Sequence, residues 1–182
     1  METPKYTGKI FEIFDREVER DGQKKFTAEI VRRPPGTRLI IVKDDKVLLT
    51  KEYRFEIGEY DFRLPGGKVY DTLEEYKKAL TSGVNIVEAA KAGAIKEAAE
   101  EAGIKANNAA FLQKSICGMT VIWELFYFLI SDFTQDVQHL EQDEDIQVVW
   151  TDRNKAREMC LDGSMKEERS ALVLLKYLEN KF

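Results

Sequence analysis

Three glutamates near the middle of the chain are the residues best suited to chemistry. Glu97, Glu100 and Glu101 lie in the alanine-rich run AIKEAAEEAGI at residues 94–104. If this run is helical, side chains three and four positions apart leave the same face, where like charges repel unless a cation lies between them. Carboxylate oxygens suit Mg²⁺ or Mn²⁺ better than Zn²⁺. The spacing therefore predicts a divalent-metal site on one face of a short helix.

The sequence before these glutamates extends the pattern. Glu88 precedes Lys96 with seven residues between them, and the turn sequence LPGGK occupies residues 64–68. Together these features resemble the Nudix box, G-x5-E-x7-R-E-U-x-E-E-x-G-U, in which U is an aliphatic residue. Two departures stand out, because Lys96 replaces the usual arginine and Gly67, taken as the box glycine, lies about fifteen residues further from Glu88 than the pattern allows.

The resemblance to Nudix hydrolases implies a fold, a reaction and a set of roles. The reaction is hydrolysis of a pyrophosphate, for which bound Mg²⁺, or Mn²⁺, neutralises the diphosphate and activates water. Lys96 would be the ion-pair partner that orients a box glutamate, although lysine lacks the planar fork of arginine. Glu100 would act both in catalysis and at the metal. The implied metal ligands are the Gly66 carbonyl, Glu97, Glu100 and Glu101.

The same residues also have a purely structural interpretation. Glutamate-rich helix faces are commonly the solvated side of an amphipathic helix. Glu88 stands three residues after Asn85, which is the spacing of a capping box at a helix N-terminus. A solvated face alone does not account for the LPGGK turn, the position of Glu88 and the Gly103-Ile104 stop together. The metal-site interpretation is therefore favoured.

An acidic loop at residues 132–145 supplies the candidates for a catalytic base. In ADP-ribose pyrophosphatase-like Nudix enzymes, a similar loop carries a glutamate that reaches the metal site as a base or a further ligand. By this resemblance Glu144 is the first candidate and Glu141 the second. The alternative is a solvated loop, since loops collect acidic residues without chemical purpose.

Four arginines are candidates for binding the substrate. Arg54 is the first of them, because a guanidinium group matches the oxygens of a diphosphate. Arg32, Arg33 and Arg63 are further candidates, and a surface ion pair is the alternative for each.

The substrate class rests on the same subfamily resemblance. It implies hydrolysis of nucleoside diphosphate sugars, of the ADP-ribose, ADP-glucose or GDP-mannose type, to a nucleoside monophosphate and a sugar phosphate. It also implies a homodimer that exchanges the N-terminal strands within residues 1–36. Because Cys117-Gly118-Met119 and Arg63 depart from the subfamily pattern, the base and the sugar stay open. The alternatives are hydrolysis of another nucleoside diphosphate derivative, such as a dinucleoside polyphosphate, and a non-catalytic nucleotide-binding module.

Composition limits the other possibilities. The chain has 182 residues, 43% of them hydrophobic, which suits one domain spanning residues 1–182. A net charge of −5 argues against nucleic acid as a partner. No segment resembles a secretory signal or a membrane span, and Cys117 and Cys160 lack metal-ligand spacing. We therefore expect a cytoplasmic protein with unpaired thiols and no membrane partner.

The elements that position the box can be predicted from periodicity. Strands are expected at residues 9–14 and 24–31, at 39–42 and 47–49, and at 111–116, 121–130 and 147–150. An inserted short helix is expected within residues 71–84, with Thr72 and Glu75 as a capping box, ahead of the box helix. A helix from Asp152 to about residue 160 and a final helix at 166–181, with Leu172, Leu175 and Leu178 facing inward, complete the chain. This order predicts an α+β fold, and the resemblance implies a Nudix-type α/β/α sandwich with mixed β-sheets and an N-terminal antiparallel strand extension.

Overall fold

A strand buried on both faces, Gly36–Lys43, forms the centre of the fold. The computed structural model describes residues 2–20, 22–118, 120–140, 142 and 144–182. The strands of the described residues are β1 Glu2–Thr7, β2 Glu12–Arg20, β3 Gln23–Arg32, β4 Gly36–Lys43, β5 Lys46–Arg54, β6 Glu59–Arg63, β7 Ile104–Lys105, β8 Ala110–Ser115, β9 Val121–Ile122, β10 Leu125–Ile130, β11 Thr134–Gln135 and β12 Ile146–Asp152. The helices are α1 Leu73–Thr81, α2 Ile86–Glu100, α3 Arg153–Leu161 and α4 Glu168–Leu178.

The main sheet has the strand order β12-β5-β4-β10-β8, with β6 paired to β5. Strand β10 runs parallel to β4, whereas the other pairs are antiparallel, so the sheet is mixed. Leu39, Ile40 and Ile41 are fully buried in β4. Because successive strand residues point to opposite faces, this apolar run requires a helical layer on each side.

Two helical layers cover the sheet as expected. On one face, Ala90, Ala94 and Ala98 of α2 pack against Leu39 and Ile41. The small alanine side chains let the helix approach the sheet closely. On the other face, residues of α3 and α4 pack against Ile40, Leu49 and Tyr127; they are Ala156, Met159, Ala171, Val173, Leu174 and Leu178. The predicted α+β fold, an α/β/α sandwich with mixed sheets, is confirmed.

The N-terminal strands form a second sheet of order β1-β2-β3-β9. Strands β1, β2 and β3 are antiparallel, which confirms the predicted extension, while β9 joins β3 in parallel. Strand β1 was not predicted, because its residues are all exposed and show no apolar alternation.

Helix α1 links this second sheet to the rest of the molecule. Thr72 and Glu75 form the predicted capping box at its N-terminus. The Leu73 amide donates to the Lys9 carbonyl at 2.8 Å. The carboxylate of Glu12, which is only 3% exposed, pairs with Lys77 of α1 and with Arg32 of β3. Helix α1 is thereby held against β2 and β3.

Two details of the sequence prediction are wrong. The segment expected to be one strand at 121–130 is divided at Trp123 and Glu124, so that β9 and β10 belong to different sheets. Leu172 is 54% exposed, because α4 buries the neighbouring Val173 and Leu174 instead. No helix among the described residues is long and apolar enough to cross a membrane.

Candidate active site

The three box glutamates line one cavity, of about 430 Å³, at the end of α2. Glu97 and Glu100 lie in the last turn of the helix, and Glu101 is its C-cap residue. The Asn85 side chain caps the other end by accepting from the Val87 and Glu88 amides. The negative end of the helix dipole lies at the C-terminus, and the last turn contains no basic residue. Three carboxylates at this end are electrostatically unfavourable without a nearby cation.

The LPGGK turn places its backbone directly against these carboxylates. The Gly66 amide donates a 2.7 Å hydrogen bond to Glu101 Oε2. Gly66 has a φ of +139°, and a Cβ there would lie 2.3 Å from the Thr37 carbonyl oxygen. A Cβ on Gly67 would lie 2.0 Å from Glu97 Oε1. Glycine is required at position 66 because its φ is positive and a Cβ would meet backbone atoms, whereas a Cβ at position 67 would force the Glu97 carboxylate to move.

Burial changes the acidity of the Glu97 and Glu101 carboxyl groups. It raises the pKa of Glu97 to about 7 and the pKa of Glu101 to about 8. The charge of Glu144 adds to both increases, which places this loop residue beside the pair. A cation bound among these groups would favour their charged forms and reverse the increases.

Lys96 and Glu100 lie at the rim of the same face. The Lys96 ammonium is 2.8 Å from Glu100 Oε2, and the lysine side chain is 67% exposed. Of the three box glutamates, Lys96 pairs with Glu100, which is less enclosed than Glu97 and Glu101. The pair raises the pKa of Lys96.

The donor chemistry of the cavity fits a hard divalent cation. Glu97, Glu101 and Glu144 supply carboxylate oxygens next to the backbone of the glycine turn. Within the described residues no three acidic side chains already surround a common point at ligand distance.

Arg38 is a buried cation whose charge acts on both Glu97 and Glu101, while Lys96 also acts on Glu97. Arg38 is 8% exposed and donates from Nη1 to the carbonyls of Thr37 at 2.8 Å and Gly66 at 2.9 Å. Its positive charge partly offsets the increases in the pKa values of Glu97 and Glu101. One lone pair of the Gly66 carbonyl, a predicted metal ligand, is thus occupied by a guanidinium. Sequence reasoning missed Arg38, although an arginine inside the apolar strand GTRLIIVK was a usable signal.

The acidic loop is tied to the end of α2 by backbone contacts. The His139 amide donates to the Glu100 carbonyl at 2.9 Å. The Gln138 side chain donates to the carbonyls of Glu101 at 2.6 Å and Ile146 at 3.2 Å. The bonds to Glu100 and Glu101 satisfy carbonyls that a helix end leaves without partners, and the loop that they hold brings Glu144 to the cavity. Glu141, the second candidate, lies outside the described residues.

The four candidate arginines have different surroundings. Arg54 lines the cavity and pairs with Glu52 at 2.9 Å and Glu56 at 2.8 Å. Arg63 also lines it and pairs with the buried Asp61 at 2.6 Å. Arg33 lines it and lies over the Trp123 ring at 4.2 Å. Arg32 is not among the lining residues, because Glu2 and Glu12 hold it within the N-terminal sheet.

Comparisons with known proteins agree with the fold described above. Residues 32–171 match the model of the family described as the NUDIX domain. Among solved structures, that of an ADP compounds hydrolase superposes with a TM-score of 0.69 at 18% sequence identity, covering 99% of this chain and 92% of the other. At this identity the likeness is one of fold. Comparison with curated proteins gives no match.

Proposed function

We propose, on the premise that this chain belongs to the Nudix family and is a pyrophosphohydrolase, that it hydrolyses the pyrophosphate bond of nucleoside diphosphate sugars. The products would be a nucleoside monophosphate and a sugar phosphate. The observation that carries the proposal is the convergence of Glu97, Glu100, Glu101 and Glu144 on one cavity that arginines also line. Carboxylates for a metal and guanidinium groups for phosphate oxygens are the two sets of groups that this reaction requires.

The proposal assigns a role to each of the box residues, to Gly66 and to Glu144. Glu97 and Glu101, with Glu100 as a further contact, would hold Mg²⁺ or Mn²⁺, which supplies neutralisation of the diphosphate and activation of water. The Gly66 amide fixes one oxygen of Glu101 by its hydrogen bond. Lys96 orients Glu100 through their ion pair. Glu144, which contacts the cavity from a separate loop, would accept a proton from the attacking water.

The nature of the cavity supports a nucleotide as the substrate. A volume of about 430 Å³ lies in the range of small-molecule sites. The structural neighbour is an ADP compounds hydrolase, which favours testing adenine nucleotides first.

The proposal includes a homodimer in the cytoplasm. Strands β1 to β3 lie outside the central sandwich and expose Tyr6 and Phe26, and Phe11 is exposed just before β2, which favours a second copy of the chain as their partner. Cys117 and Cys160 are free, which fits a reducing compartment. Sedimentation equilibrium would test the dimer, for which twice the chain mass is expected.

A product assay tests the reaction directly. The purified protein would be incubated with ADP-ribose, ADP-glucose, GDP-mannose, UDP-glucose and a diadenosine polyphosphate, each with Mg²⁺ or with a chelator. We expect metal-dependent release of a nucleoside monophosphate from at least one sugar, and none with the chelator. Glu158→Gln is a suitable control for glutamate-to-glutamine variants of the site, because Glu158 lies on α3 with an exposed side chain. Turnover of the diadenosine compound alone would contradict the sugar assignment.

A further inference from the structure

Among the residues that the structure describes, one cation of the cavity differs from the others in lacking a carboxylate partner. Among the described residues that line the cavity, Arg54, Arg63, Lys68 and Lys96 each have a carboxylate oxygen within 4.0 Å, and Arg38 has Glu167 at 3.9 Å. Arg33 has no such ion pair and donates none of the side-chain hydrogen bonds found among these residues. A charged guanidinium in a cavity without an acceptor is a ready site for an anion.

The guanidinium of Arg33 is held in place by aromatic rings rather than by charge. It lies 4.2 Å from the centroid of Trp123 and 5.2 Å from that of Phe11. Contacts of this kind use the flat faces of a guanidinium and leave its edge, which carries the N–H donors, available. The Nε of Arg33 is buried without a partner. The terminal nitrogens are therefore the donors that a ligand in the cavity can reach.

The surroundings of Arg33 carry an excess of positive charge. Arg38 and Arg169 share the carboxylate of Glu167, at 3.9 Å and 3.3 Å. Burial and the charges of these two arginines lower the pKa of Arg33. An anion next to Arg33 would relieve this repulsion.

The position of the stack relates it to the box glutamates. Trp123 Nε1 and the Gly67 carbonyl oxygen lie 3.8 Å and 3.1 Å from the place that a Cβ on Gly36 would occupy. A Cβ on Gly67 would in turn lie 2.0 Å from Glu97 Oε1. Gly36 and Gly67 are thus the neighbours that connect the Arg33–Trp123 stack with the box glutamates in one cavity.

We propose that Arg33 binds the phosphate group of the nucleoside diphosphate substrate that lies away from the three box glutamates, with Trp123 as the positioning residue. The proposal rests on the proposed function and selects one of the four candidate arginines. Arg54 and Arg63 already have carboxylate partners, so their charges serve the fold as well as the cavity. Arg33 alone among the four has its charge left for the substrate.

Binding without turnover tests this assignment independently of hydrolysis. The chain contains two tryptophans, so Trp150→Phe leaves Trp123 as the only indole, 4.2 Å from Arg33. In this background and with a chelator present, the fluorescence of Trp123 would be titrated with inorganic pyrophosphate, ADP and adenosine. We expect responses to pyrophosphate and ADP and none to adenosine. Adding Arg33→Gln should lower the affinities for pyrophosphate and ADP, taken from these titrations, roughly tenfold or more.

Arg169→Gln is the matched control. Arg169 lies over the same Trp123 ring at the same 4.2 Å but does not line the cavity. It should reduce thermal stability and lower pyrophosphate affinity by less than about threefold, because it removes one surrounding charge but no donor that lines the cavity. Equal losses of affinity in Arg33→Gln and Arg169→Gln would show that both arginines only support the structure around Trp123, and would overturn the proposal. So would a response to adenosine without one to pyrophosphate, or no response to pyrophosphate in the parent.

Kinetics with Mg²⁺ provide a second measurement. Arg33→Gln should raise KM roughly tenfold with kcat changed much less, because the contact is present in the bound ground state. Trp123→Leu should raise KM in the same way. Trp123→Phe should raise KM less, because it keeps an aromatic face for the guanidinium. A fall in kcat alone, with KM unchanged, would overturn the assignment. If no substrate is hydrolysed, the fluorescence titration still decides it.

Discussion

The Gly66 amide and the Glu101 carboxylate are joined by a 2.7 Å hydrogen bond that crosses 35 positions of sequence. This bond fixes the glycine turn of the β6–α1 connection against the C-terminal end of α2. Gly67 follows, and a Cβ there would lie 2.0 Å from Glu97 Oε1, so two consecutive backbone positions lie close to two of the three box glutamates. The glycine turn and the end of α2, which are far apart in the sequence, are therefore in direct contact at the site.

Adding one methyl group at Gly67 should disturb the site. A Cβ there would lie 2.0 Å from Glu97 Oε1, so Gly67→Ala must displace the carboxylate or the turn. We expect kcat/KM to fall by about 100-fold and stability by about 1–3 kcal/mol. Steady-state kinetics and thermal unfolding would measure both effects.

Gly93→Ala is the comparison for that variant. Gly93 lies in the middle of α2, where a Cβ would meet no atom closer than 3.9 Å. Its substitution should stabilise the protein by up to about 1 kcal/mol, because alanine is the better helix former. An active Gly67→Ala protein with normal stability would contradict the geometry described for the turn.

The metal-free protein should become less stable as the pH rises from about 5 to 8. In the folded state Glu97 and Glu101 keep their protons up to pH about 7 and 8, whereas in the unfolded chain they lose them near 4.5. The folded state then binds more protons than the unfolded state, so the free energy of unfolding falls with increasing pH. Thermal unfolding with a chelator at several pH values would measure the slope.

Mg²⁺ should reverse that dependence. Metal binding displaces protons from the carboxyl groups, so Mg²⁺ affinity should increase over the same pH range. Glu97→Gln should flatten the slope of the metal-free protein and stabilise it by about 1–3 kcal/mol at pH 8. An unchanged slope in this variant would show that burial of Glu97 does not control the pH dependence.

The parts of the site that could be predicted are those encoded within one stretch of chain. The box helix with its three glutamates, the Asn85 cap and the Thr72–Glu75 capping box depend on residues a few positions apart, which sequence patterns reveal. The capping box predicted for Asn85 and Glu88 is present only as the Asn85 cap. The partners of the arginines depend on the assembled fold instead. Arg32 meets Glu12 and Arg33 meets Trp123 only because β2 and β9 flank β3 in the second sheet. Neither contact is visible in sequence spacing.

Arg38 and Leu172 show two further limits of pattern reading. Arg38 is buried at the glycine turn because its guanidinium donates to two backbone carbonyls there. An arginine within an apolar strand is a signal that such partners exist, but the sequence does not show which groups they are. Leu172 fits a helical apolar spacing, but the angle at which α4 meets the sheet buries Val173 and Leu174. Packing between elements decides both positions.

Glu144→Gln tests the proposed base. The substitution keeps the shape of the side chain and removes its ability to accept a proton from water. We expect kcat to fall by about 100-fold or more while KM changes less than about threefold. A change confined to KM would make Glu144 a binding residue.

Glu12→Gln tests how the N-terminal sheet is attached. Glu12 is 3% exposed and pairs with both Arg32 and Lys77, so removing its charge leaves two cations facing one another. We expect a loss of about 2–4 kcal/mol in stability. Glu2→Gln is the matched comparison, because Glu2 pairs with the same Arg32 but its side chain is 41% exposed, and its loss should be below about 1 kcal/mol. Equal losses would mean that the buried pair does not hold α1 in place.

The most direct test of the metal-dependent reaction is the combination of Mg²⁺ binding and turnover in Glu101→Gln. The variant removes one ligand charge with little change in volume, and the glutamine oxygen can still accept from the Gly66 amide. Calorimetric titration should show Mg²⁺ affinity at least about tenfold lower, and the product assay should show kcat reduced by about 100-fold or more, with the fold unchanged by circular dichroism. Mg²⁺-dependent turnover at the parent rate would contradict the assignment of this carboxylate, and with it the proposed site.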